Sequence, residues 1–137
     1  MNELVPIDSE AGLVEELARS HGRLCGVSID GVDLRRLTLR GAELERCRLT
    51  HVRLAGVDLS CSRWTDVEVS EVDLGEADLS GATLQRVTFH RVTARGLHAA
   101  ASEWIDVQLE HTHLVGADLR ASRWHGARIA LTDLSEA

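Results

Sequence analysis

Apolar residues return at every fifth position from residue 24 to residue 134, through 23 slots with no insertion or deletion. The stretch SEVDLGEADLSGATL, residues 70–84, carries the pattern in Leu74, Leu79 and Leu84. A spacing of five matches neither the two-residue alternation of a strand nor the 3.6-residue turn of a helix. On a helix those leucines would scatter around the axis, and on a flat strand they would point to opposite faces. The central slots hold fourteen Leu, two Ile, one Val, one Phe and three Trp, and only Ala94 and Ala99 are small. Two residues ahead of each centre lies a second column, positions 22 to 132, filled mainly by Val (nine), Ala (five) and Ser (three). Two residues after each centre, Gly occupies eight slots, and the remaining positions are dominated by Asp, Glu, Arg, Thr, Ser and His. Two inward and three outward columns in every five residues describe a chain that turns a corner every five residues.

The best-formed units are GADL (116–119), EADL (76–79), GVDL (31–34 and 56–59) and EVDL (71–74). They resemble the pentapeptide-repeat family, whose motif is often written A-[DN]-L-x-x, and the resemblance runs over residues 22–137. It implies an all-β solenoid: a right-handed quadrilateral β-helix, four pentapeptides to a coil and nearly six coils here, each burying its apolar face against its neighbours. Four units per coil require a second period, of twenty. Trp64, Trp104 and Trp124 obey it, and each follows a serine by two residues (Ser62, Ser102, Ser122), a small neighbour for a large ring in a tight interior. Leu97 stands in the small-residue column between the undersized Ala94 and Ala99, which reads either as volume compensation or as a local bulge at 94–99. Coils stacked at strand spacing give a rod about 28 Å long. Residues twenty apart become cross-strand neighbours, and opposite charges largely alternate there, as in Arg46, Asp66, Arg86 and Asp106.

Residues 1–21 stand outside the register and are expected to form an N-terminal cap, with residues 22–137 as the β-helix. DSEAGLVEELARS, residues 8–20, places Leu13, Val14, Leu17 and Ala18 on one helical face, with Asp8 or Ser9 available as the cap and Gly22 to end the helix. Such a helix would lid one open end of the solenoid. At the other end, Trp124, Ile129, Leu131 and Leu134 have no such cover, and we expect a homodimer through that coil.

Composition narrows the chemistry. There is no Tyr and no Lys, and there is one Pro. Cys25, Cys47 and Cys61 lack metal or redox spacing, and Cys47 falls in the inward column. No apolar stretch reaches membrane-spanning length, and the first ten residues carry acids where a secretory signal carries bases, so a cytoplasmic protein without membrane attachment is expected. Nucleophilic catalysis needs converging groups in a pocket. A rod with a filled interior and no long loops offers none, so the expectation is a non-enzyme without cofactor or metal. His111 and His113 are read as surface histidines short of a ligand set. No phosphate loop or basic aromatic stripe points to direct nucleic-acid binding.

Charge is the remaining signal. The net charge is −7, yet residues 22–137 hold seventeen acids and fourteen Arg. Asp66, Glu68, Glu71, Asp73, Glu76 and Asp78 form an acidic belt one coil wide with no Arg among them, and Asp58 lies one coil before Asp78. A belt of this kind can steer a basic partner. The expected function is a non-catalytic protein-interaction module or scaffold. The family resemblance implies one alternative: some members resemble B-form DNA, bind DNA gyrase and protect against fluoroquinolones.

Overall fold

The computed structural model describes residues 4–137, so the first three residues of the expected cap lie outside it. Strands are numbered along the chain. One side of the molecule is a parallel sheet of six, β2 (Arg23–Cys25), β4 (Glu43–Glu45), β6 (Arg63–Thr65), β8 (Thr83–Gln85), β10 (Glu103–Ile105) and β12 (Arg123–His125). The second side is a parallel sheet of seven: β1 (Val5–Ile7), β3 (Val27–Asp30), β5 (Arg48–Thr50), β7 (Glu68–Ser70), β9 (Thr88–His90), β11 (Gln108–Glu110) and β13 (Arg128–Ala130). A third and a fourth side are ladders of single bridges, Asp33 to Arg53 to Asp73 and onward to Asp133, and Thr38 to Asp58 to Asp78 and onward to Asp118. The result is a four-sided parallel β-solenoid of about six coils, with every pairing within the repeat offset by twenty residues.

The corners explain the glycine column. The second residue after every centre except Leu34 adopts a left-handed φ, in residues as different as Arg46, Asp66, Leu131 and Gly96; Arg36 is the exception. Gly reaches that region freely, whereas other residues pay about 1–2 kcal/mol. After the third and fourth sides, the corner closes with a hydrogen bond from the third residue after a centre to the centre's carbonyl, as from Ala77 to Leu74 (3.0 Å) and Ala82 to Leu79 (3.0 Å). A left-handed residue at the third position of such a turn is the type II geometry.

The two inward columns form one continuous core from Ile7 to Ala117. Trp64 and Trp104 are fully buried with Phe89 packed edge-on between them, and Trp104 stacks on Trp124 with ring centroids 4.3 Å apart. Residues 94–99 do not bulge: Thr93 and His98 stay in the bridge ladders while Ala94, Leu97 and Ala99 are buried, as volume compensation requires.

The N-terminus departs from the sequence expectation in two ways. Strand β1 was not foreseen; it pairs in parallel with β3, Val5 beside Val27 and Ile7 beside Ile29, so the second sheet begins ahead of the repeat. Its register offset is 22 rather than 20, and Pro6 sits on this outermost strand, where a missing N–H costs no ladder bond. Helix α1 (Glu10–Arg19) then covers the opening, capped by Ser9, whose Oγ accepts from the Gly12 N–H at 3.0 Å. Ser20 is its C-cap, and the Gly22 N–H closes on the Leu17 carbonyl at 2.9 Å. Leu13 is wholly buried and Leu17 packs on the core, but Val14 and Ala18 face solvent. A helix lying on a narrow square end can insert only one ridge, and here that ridge is 13 and 17, spaced by four.

Candidate interaction surface

The acidic belt runs around three sides of the rod. Asp66 and Glu71 occupy the corners on either side of Glu68 on the second side, Asp73 lies on the third, Glu76 at the next corner and Asp78 on the fourth. The belt therefore covers three of the four sides, and the twenty-residue register places cationic groups beside part of it. Arg86 donates Nε to Asp66 Oδ1 at 2.6 Å and Nη2 to Oδ2 at 3.1 Å. Arg48 Nε reaches Glu68 at 3.1 Å, and His51 Nε2 lies 2.7 Å from Glu71 with its Nδ1 3.5 Å from Asp30. The hydrogen bonds from Arg86 hold the Asp66 carboxyl below its usual range. All these side chains are substantially solvated, so each pair contributes little.

The remaining four, Asp58, Asp73, Glu76 and Asp78, take part in no salt bridge among the described residues and gather around the corner between the third and fourth sides. Asp58 and Asp78 are direct bridge partners, two like charges side by side. Three of the four also have a local role. Asp58 accepts from the Ser60 N–H (3.0 Å) and Oγ (2.6 Å), Asp73 from the Gly75 N–H (2.9 Å) and Asp78 from the Ser80 N–H (2.9 Å). The bonds from Ser60 lower the Asp58 pKa. The same bond recurs at Asp33, Asp118 and Asp133, all on the third and fourth sides. An aspartate ahead of the centre therefore fastens the backbone entering these turns, as Asx motifs do. At Asp33 and Asp118 an arginine two residues on also grips the carboxylate with two hydrogen bonds, which pushes Asp118 down to about 2. Glu76 alone of the four accepts no such backbone bond; it lies along Gly96, where a Cβ would come within 3.1 Å of its Oε1.

At the far end, the last coil presents Ile129, Leu131 and Leu134, exposed by 47%, 74% and 38%, beside a half-buried Trp124. These four residues share one end of the rod, as the sequence expectation has them. A groove of about 750 Å³ opens there, lined by Gly116 to Arg120, Leu134, Glu136 and Ala137.

The thiols are unpaired. Cys47 is buried, and burial raises its pKa, while Cys25 is exposed and accepts from Arg46 Nη2 at 2.9 Å. Cys61 stands at a corner beside Gly81. His111 and His113 diverge, one at a corner and one on the third side. His111 instead meets His90 and Glu110 from neighbouring strands, a grouping visible in the sequence only as spacings of twenty and twenty-one. Among the described residues no group of three or more His, Cys, Asp or Glu could hold a metal ion, and no helix there is long and apolar enough to cross a membrane.

No curated protein sequence matches the chain. Solved structures give the fold. The chain is similar to Rfr23, a pentapeptide repeat protein from the cyanobacterium Cyanothece 51142, at 19% identity and TM-score 0.59, covering 87% of this chain and 95% of that one. A pentapeptide repeat protein from the Arabidopsis thaliana thylakoid lumen aligns at 22% identity and TM-score 0.56, over 74% of this chain and 68% of that one. A trypsin-treated form of QnrB1, a plasmid-mediated fluoroquinolone resistance protein, aligns at 14% identity and TM-score 0.51, over 98% and 70%. The family described as pentapeptide repeats (8 copies) matches residues 23–63 and 65–96, more than half of the sequence. Repeat, four-sided coil and family match agree, and the chain belongs to the pentapeptide-repeat family.

Proposed function

We propose that this protein is a non-catalytic interaction module, a rigid rod that offers one corner to a basic protein partner, in the cytoplasm as its unpaired thiols suggest. One observation carries the reading: three belt acids are matched by Arg or His on adjacent coils, whereas Asp58, Asp73, Glu76 and Asp78 share a corner without a salt bridge. Clustered carboxylates held outside any salt bridge raise the local potential that steers a cationic surface, and Arg53 beside Asp73 offsets part of it.

DNA mimicry directed at gyrase is the second reading, favoured by the direct stacking of Asp58 on Asp78 and by Asp118 farther along the same ladder. Magnitudes count against it. Duplex DNA over about 28 Å carries about 16 charges, against a net of three for residues 22–137. Gyrase supercoiling, titrated with the protein, separates the two. Salt-sensitive inhibition, lost when Asp58, Asp73 and Asp78 become Asn and Glu76 becomes Gln, establishes mimicry. Asn keeps the acceptor for the turn N–H and removes only charge. Without inhibition, a partner captured by the wild type but equally by the neutralised variant would sink the corner as its site.

We further propose that Trp124, Ile129, Leu131 and Leu134 form a homodimer contact, supported by their joint exposure at one end of the rod.

A further inference from the structure

We propose that strand β1 and helix α1 form a lid that opens as one unit about residues 20–22 and uncovers a latent docking end for a second copy of this chain. The lid stands apart from the acidic corner and from the far end of the rod. Its two parts are joined to each other. Only Asp8 and Ser9 separate them, Ser9 caps the helix, and a Cβ on Gly12 would lie 3.7 Å from the Ile7 side chain. Its hold on the solenoid is small. Helix α1 buries Leu13 and packs Leu17 on the core, and β1 buries Ile7, while Val5 and Val14 stay exposed. Among the described residues no salt bridge ties residues 4–19 to the repeat; the Arg19–Glu16 pair lies within the helix. Segments with few buried anchors open at lower free energy than the body of a fold, and they open in cooperative units.

The junction suits a hinge. Ser20 ends the helix, and His21 and Gly22 follow with φ of 57° and 82°, two left-handed residues in succession within a turn. A few element-terminal residues of this kind are what absorb the backbone change when a lid moves. Beneath the lid lies the start of the solenoid. Leu13 shares an interior gap of about 10 Å³ with Leu24, Ile29, Leu34 and Leu39, one centre from each of the four sides, all of them buried. With the lid open, those side chains and the edge of β3 meet water. The uncovered end then has the layout of the far end, apolar centres framed by unpaired strand edges. Its rim carries both signs, Arg23 and Arg36 beside Asp30 and Asp33, so the same end of a second copy meets it across a two-fold axis with charges of either sign. The closed lid confines association to the far end.

Native-state hydrogen exchange of the full chain tests the lid. The amides of Val5, Ile7 and helix α1 are expected to share one opening equilibrium, about a hundredfold more populated than the opening of β5 and β7. Leu13→Ala should then speed exchange at Val5 and Ile7 as well as in the helix, by about tenfold or more, and leave β5 and β7 unchanged. A packing role confined to the helix would not reach the strand. The docking end is read against Leu131→Glu as the parent. Adding Leu13→Asp is expected to double the parent's mass in light scattering at high micromolar concentration. Near-UV circular dichroism of Trp64 and Trp104 reports that the solenoid is folded, and Leu13→Ala serves in its place where the aspartate unfolds it. Exchange of α1 without β1, or of both only together with β5 and β7, overturns the lid. A folded variant with faster lid exchange that keeps its parent's mass overturns the docking end.

Discussion

Trp64, Trp104 and Trp124 donate their indole N–H to the Oγ of the serine two residues upstream, at 2.8, 2.7 and 2.9 Å. Size alone accounts for a small residue at 62, 102 and 122, but not for serine over alanine. The hydroxyl supplies an acceptor inside a core that has none to spare, and among the described residues no buried side-chain nitrogen or oxygen lacks a partner. Ser102→Ala is expected to lower stability by about 1–3 kcal/mol in chemical denaturation, and to cost much less in a Trp104→Phe background, where no indole donor is left to orphan. An equal loss in both backgrounds would assign the serine to packing. The turn aspartates contribute to acid stability. The folded-state pKa of Asp118 is depressed to about 2 by its hydrogen bonds from Arg120, so its contribution is present above the unfolded value near 4 and is lost as pH falls toward 2. Asp118→Asn should flatten the acid limb of a melting-temperature profile between about pH 5 and pH 2 and leave the curve near pH 7 parallel to the wild type.

Elements stack here without a separate core for any one of them, so each coil depends on its neighbours and the two ends carry the risk. Helix α1 and strand β1 divide the work at the N-terminal end. The helix plugs the apolar interior with Leu13, and the strand covers the edge of β3. Leu13→Ala is expected to cost about 2–5 kcal/mol, as a cavity at a fully buried site does, while Val14→Ala one residue away stays within about 0.5 kcal/mol. Comparable losses at both positions would mean that the helix sits differently on the solenoid. Helical periodicity made the α1 segment legible in the sequence. Strand β1 was not legible, because three residues containing a proline carry no alternation and only the waiting edge of β3 makes them a strand.

As a whole the molecule is a rod with acids gathered at one corner and an apolar far end. Leu131 is the plainest case: a leucine at a left-handed corner, three-quarters exposed, adding nothing to the core and occupying a conformation that glycine adopts at less cost. Apolar surface kept at such a position fits a contact. Light scattering at high micromolar concentration is expected to give the mass of a dimer, and Leu131→Glu that of a monomer. Glutamate is accommodated at the equivalent corners 71, 76 and 136 with the same sign of φ, so the substitution adds charge without new backbone strain. A wild-type monomer would remove the end contact altogether.

The five-residue and twenty-residue periods determined the coil, its four sides, the inward columns and the identity of every cross-strand neighbour within the repeat, because in a register without insertions position alone dictates proximity. They also located the acidic belt. What those acids do was decided by the tertiary structure. Asp66, Glu68 and Glu71 meet Arg86, Arg48 and His51 across coils, whereas Asp58, Asp73 and Asp78 turn back to their own backbone, a distinction set by side-chain reach on sides with different turns.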